Sequence, residues 1–146
     1  MYNINNIDRE VELFIFDIYI AILKINKVAL KFENVQDLLH SFTDWDSVIR
    51  EFEIIGEASK YLLRDKLLNK QYQEIVDFRN QITHEYFGIN RDIIWFTIHH
   101  DLKDFTGVVL KLIVAIDPKL KEELIDSFIE DHKYLDFVVD TLKELK

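Results

Sequence analysis

The chain contains no cysteine, a single proline and three glycines among 146 residues. Without cysteine, neither a disulfide framework nor a thiolate metal site can form, and an oxidising compartment is not indicated. So few glycines and prolines leave too little turn chemistry for a multistranded sheet, and long helices are the expected solution. The start, Met1 to Glu10, lacks the basic beginning and unbroken apolar run of a signal peptide, and no stretch approaches a charge-free membrane span. The expectation is a cytoplasmic protein with no membrane association.

What is present fits one globular domain over 1–146: 49% hydrophobic and 31% charged residues in 17.5 kDa. The formal net charge of -9 argues against wide contact with nucleic acid, because phosphate binding depends on Lys and Arg. Its distribution is uneven. Between 60 and 91, Lys60, Arg64, Lys66, Lys70, Arg79 and Arg91 outnumber Asp65, Glu74, Asp77 and Glu85. This is the only net-positive part of the chain.

Apolar periodicity predicts the helices. Asp8 caps a first, amphipathic helix to about Lys31, through Phe14, Ile18, Ile22 and Ile25. Asn34 caps a short helix within 32–41. Thr43-Asp44-Trp45-Asp46 reads as a capping box opening a helix to about Leu63, with Gly56 at its centre. Glycine there costs about 1 kcal/mol relative to alanine, so close approach of a neighbouring chain is expected. A third helix starts near Lys70 and is punctuated by Gly88 and Asn90. A fourth runs from Asn90 to about Ile116, apolar on more than one side as in a central or interfacial helix. Asp117-Pro118 then opens an acidic amphipathic helix through Lys146. The predicted architecture is all-α: a four-helix up-and-down bundle over about 8–116 with an additional C-terminal helix over about 117–146.

Chemistry concentrates at the end of the third helix, where Arg79, Asn80, His84 and Tyr86 fall within eight residues. A guanidinium holds phosphate in a planar fork, and a histidine titrates near neutrality and can move a proton. An Arg and a His near a helix end also serve as caps or ion-pair partners. In one unbroken helix Arg79 and His84 lie about 140° apart, whereas Arg79 and Tyr86 differ by about 20°. Aiming Arg and His at one atom therefore calls for convergence of long side chains or for two motifs facing across a two-fold axis. Arg50, Glu53 and Glu57 belong to a polar stripe on the second helix, either a solvated face with ion pairs or a second shell around Arg79 and His84. His99-His100-Asp101 suggests metal phosphohydrolases, which need further converging ligands; His40 and His132 are possible donors, but nothing in their setting selects them. No metal or cofactor is expected.

Ile49-Arg50-Glu51-Phe52-Glu53-Ile54-Ile55-Gly56-Glu57-Ala58, then Arg79-Asn80, His84-Glu85-Tyr86-Phe87-Gly88, Ile94-Trp95 and Asp101-Leu102, resemble the HepT-type branch of the HEPN superfamily. The resemblance covers roughly 8–116. It implies a homodimeric toxin of a HepT/MntA-type toxin–antitoxin system, acting as a metal-independent endoribonuclease on RNA. It further implies a minimal nucleotidyltransferase antitoxin that silences the toxin by adding AMP to Tyr86. Arg79, Asn80 and His84 then fill the catalytic positions. The stretch Tyr72-Gln73-Glu74-Ile75-Val76-Asp77-Phe78 departs from many relatives, which carry a Pro-Trp pair before this helix and small residues before the Arg. The strong acidity supports an alternative, a non-catalytic nucleotide- or substrate-binding subunit of a nucleotidyltransferase. A purely structural helical dimer is the third reading.

Overall fold

The structure, a computed structural model, describes residues 10–84 and 90–146, and of Thr83 and His84 the backbone alone. Among the described residues there are eight α-helices, one 3₁₀ turn and no strand. They are α1 (Val11–Ala29), α2 (Val35–Leu39), α3 (Phe42–Arg64), α4 (Gln73–His84), α5 (Arg91–His99), α6 (Asp101–Val114), α7 (Pro118–Asp131) and α8 (Asp136–Lys143), with the 3₁₀ turn at Lys70–Tyr72 before α4. None of the described helices is long and apolar enough to cross a membrane.

The bundle is built around α1, so of the two readings of the fourth helix, central or interfacial, the structure removes the first. Leu13 to Phe16 and Ile18 to Ile22 are buried in unbroken runs, so α1 is covered on every side. It packs on α3, on α5 and α6, and on α8. The C-terminal segment supplies part of that cover, with Phe128 of α7 stacked on Phe16 at 5.2 Å and Lys27 over the ring of Phe137. It is therefore part of the core and forms two helices, where one was expected, broken between Asp131 and Asp136.

The predicted fourth helix is likewise two. It breaks at His100 (φ -126°, ψ -72°), and its buried residues, Ile94, Ile98, Leu102, Phe105, Val109 and Ile113, line one face only. Asn34, Asn90 and Asp117 cap as expected, each side chain accepting from backbone N–H groups of the following turn. The expected capping box does not form: α3 begins at Phe42, one residue before Thr43, so Thr43 is already helical. Ser41 flanks the start instead, and its hydroxyl donates to Asp44 Oδ2 at 2.6 Å. Asp8 and Gly88, the other expected boundary residues, lie outside the described residues.

The end of α3 is closed by a Schellman motif. Leu67 N donates to Leu62 O at 2.9 Å and Lys66 N to Leu63 O at 3.1 Å, with Lys66 in the left-handed region at φ 62°. The chain then turns into α4, which packs on α3 and stands away from α5 and α6. Tyr72, in the 3₁₀ turn, reaches across that gap to Phe105, with centroids 5.7 Å apart.

Candidate functional site

α4 carries Arg79, Asn80 and His84, and its attachment to α3 decides where the first of these points. Phe78 meets Phe52 edge to face at 5.4 Å, and one residue on, Arg79 lies directly over Gly56. A methyl group at Gly56 would overlap both Cβ and Cγ of Arg79, with Arg79 Cα at 3.5 Å. The mid-helix glycine is thus explained: it is the recess that receives the arginine stem.

Beyond the stem, the guanidinium is held at two points. Nη1 donates to Asn80 Oδ1 at 3.0 Å, and Nη2 lies 3.1 Å from Glu57 Oε2. The Glu57 contact is close enough for charge but outside hydrogen-bond alignment, and among the described residues Nε, though buried, has no hydrogen-bond partner. A guanidinium has five N–H donors. Among the described residues several of these besides the buried Nε have no acceptor, on a side chain that is 24% exposed, the condition under which an anion's oxygens can be taken up.

Of the three residues expected around this site, the structure brings Glu57 to Arg79. Arg50 and Glu53 contact each other at 3.7 Å further towards the start of α3. Glu57 is shared, with Lys60 Nζ at 3.7 Å on its other side. His84 is the last described residue of α4, about 7.5 Å along the axis from Arg79 and about 140° around it. Position 84 shares its stripe with exposed Asn80, four residues earlier, so the Arg79–Asn80 hydrogen bond turns the guanidinium towards that stripe. The His84 imidazole and Tyr86 lie outside the described residues.

The histidines of the competing motif are engaged elsewhere. The ring of His99 bonds the Trp95 carbonyl at 2.8 Å, and His100 stacks on Phe96. His132 bonds the Phe128 carbonyl and His40 bonds Gln36. Among the described residues, no three His, Asp or Glu side chains cluster as a metal set would.

The family model described as ribonuclease HepT-like matches residues 18–112. The chain belongs to the HepT-like family. The matched span contains α2 to α5 whole and most of α1 and α6. Among curated relatives, a candidate RNase of Methanocaldococcus jannaschii is 42% identical over 59 residues, 38% of this chain and 54% of the relative. A protein of Thermococcus cleftensis named probable ribonuclease HepT is 38% identical over 69 residues, 45% of this chain and 63% of the relative. A second candidate RNase of M. jannaschii is 30% identical over 112 residues, 69% of this chain and 88% of the relative. The HepT-like chain thus spans between about half and two thirds of the first two relatives and most of the third. No solved structure matches it.

Reasoning from sequence anticipated close packing at Gly56 without naming what fills it. Nor did it detect the Arg79–Asn80 hydrogen bond, because adjacent positions on a helix point about 100° apart and only the reach of arginine closes that angle.

Proposed function

We propose that this HepT-like chain is a metal-independent endoribonuclease. RNA supplies its own nucleophile, the 2'-hydroxyl, so cleavage needs proton transfer and charge stabilisation at phosphorus, which Arg and His provide. The 2'-hydroxyl attacks phosphorus and gives its proton to a His84 imidazole. The P–O5' bond breaks, and the leaving oxygen takes a proton from a second, protonated His84. The products are a 2',3'-cyclic phosphate and a 5'-hydroxyl. Arg79 holds the non-bridging oxygens as charge builds on them, and Asn80 orients its guanidinium.

The observation that carries this reading is the held but unsaturated guanidinium of Arg79, bedded on Gly56 beside the stripe that continues to position 84. Because Arg79 and His84 diverge by about 140° on α4, a homodimer in which two motifs share one phosphate is the arrangement we favour. Within that reading the chain is the toxin of a HepT/MntA-type pair. The minimal nucleotidyltransferase antitoxin joins the Tyr86 oxygen to the α-phosphorus of ATP, releasing pyrophosphate, and the resulting AMP diester adds negative charge where RNA must bind.

The test is RNA cleavage in EDTA by protein of known intact mass, expressed without a partner. Wild type should cleave and leave cyclic phosphate ends, while His84→Ala and Arg79→Ala should lose at least about 100-fold with unchanged helicity. A net charge of -9 favours the binding-subunit reading instead. Absence of cleavage by protein of unmodified mass, together with tight binding to a nucleotidyltransferase, would favour that alternative over the nuclease.

A further inference from the structure

The gap between α4 and the α5–α6 pair is a partly open groove of about 630 Å³. Its floor is apolar and aromatic, from Phe52, Ile75, Phe78, Leu102 and Phe105. Its two edges are acidic, Glu74 and Asp77 on α4 facing Asp101 and Asp104 on α6. No Lys or Arg occurs among the described residues that line it. Ile93 at the groove and Phe96 beside it on α5 are 47% and 55% exposed, which extends the apolar surface beyond the edge.

We propose that this groove is the docking site for a basic amphipathic helix of a protein partner. Such a helix lays apolar side chains at i, i+3, i+4 and i+7 on the floor while its Lys and Arg residues meet the carboxylates on both edges. It fills the space left because α4 packs mainly on α3.

The charges select this occupant over two others. Nucleic acid would bring its phosphates against four carboxylates with no cation among the described lining residues. A second copy related by a two-fold axis through the groove would place the same acidic edges opposite each other, and like charges across an interface are costly. Glu74, Phe78 and Gln81 lie roughly a quarter-turn from the stripe of Asn80 and position 84, and Asp77, at the groove edge, lies within about 20° of position 84 and about 160° from Arg79. A docked partner therefore borders the candidate site without covering Arg79. The inference goes beyond the nuclease reading and does not depend on it, since binding is measured directly.

The probe is a fluorescein-labelled peptide of about 18 residues, with leucine at the four apolar positions and Lys or Arg elsewhere, followed by anisotropy with the full chain. Asp77→Lys with Asp104→Lys should weaken binding at least tenfold. The same change in charge on α7, Glu122→Lys with Glu123→Lys, should alter it less than about twofold. Thr97→Trp, which fills the groove without changing charge, should also weaken it, with circular dichroism confirming that each variant is folded. Equal losses from the groove and α7 pairs, or full binding by the Thr97 variant, would overturn the proposal. So would direct binding of labelled single-stranded RNA that the Thr97→Trp variant loses, or a change of oligomeric state in the Asp77/Asp104 variant, which would assign the groove to RNA or to a second copy.

Discussion

Replacing Gly56 by alanine tests the contact on which the site rests, because two effects of opposite sign meet there. In a helix interior the change gains about 1 kcal/mol of backbone propensity. Against it stands the overlap of the new methyl with Arg79 Cβ and Cγ. Arg79 Cβ is fixed to the backbone, so no rotamer removes that overlap, and α4 has to move away from α3. Overpacking of this kind costs about 1–3 kcal/mol, leaving the variant between neutral and about 2 kcal/mol less stable. Changing Arg79 to glycine removes both overlapping atoms. In the Arg79→Gly background, Gly56→Ala should therefore stabilise by about 1 kcal/mol, a reversal of sign attributable to this one contact. Urea denaturation of the four proteins supplies the cycle. Stabilisation by Gly56→Ala in the presence of Arg79 would refute the packing argument. Activity has a separate expectation: displacing the guanidinium by about 1 Å should lower RNA cleavage by as much as about 100-fold even where stability hardly changes.

Three further outcomes follow from other contacts. Glu57→Gln should cost less than about 1 kcal/mol, because both partners of the Arg79 pair are partly solvated. In a His84→Ala background that blocks cleavage it should tighten RNA binding about threefold, the effect of removing a unit charge about 6 Å from a phosphate in water; weaker binding would contradict the placement. Lys66→Gly should stabilise the chain by about 1 kcal/mol in thermal or urea unfolding, because a side chain in the left-handed region at φ 62° is strained where glycine is not. The Asp44 carboxyl is held below its ordinary range by hydrogen bonds from Lys31 Nζ and Ser41 Oγ, both at 2.6 Å, so its contribution is present above the unfolded-state value and lost as pH falls through the folded one. Asp44→Asn should destabilise at neutral pH by about 1 kcal/mol, and the difference from wild type should shrink on acidification below the ordinary carboxylate value; a constant difference would refute it.

The sequence conveyed the helices well where local chemistry decides them. Asn34, Asn90 and Asp117 each serve N–H groups of the turn they open, an interaction between near neighbours that a short sequence window contains. It conveyed less where the outcome depends on distant partners. α1 shows helical periodicity, yet Leu13 to Phe16 are all buried because α7 and α8 cover the side that a bundle of four would leave wet. The break at His100 was hidden because Trp95 to Asp101 contains neither glycine nor proline. Lys66 shows the same limit, since its left-handed cap uses a residue that sequence rules do not favour there. At the candidate site, Arg79, Asn80, His84 and Tyr86 were recognisable by type and spacing, whereas the recess at Gly56 and the choice of Glu57 over Glu53 are products of the α3–α4 crossing.

That crossing also shows why the candidate chemistry sits on a helix with few fully buried residues. Among the described residues of α4, Val76 and Ile82 alone are fully buried, and the helix leans on α3 through Phe78 and Arg79. A more enclosed α4 would close the groove towards α6 and cover the Asn80 stripe, leaving the guanidinium no free side. The acidic edges then have a consistent physical role. They keep phosphate off one flank of α4, where Glu74 and Asp77 lie about 140–160° around the helix from Arg79, so the helix presents opposite charge on nearly opposite sides.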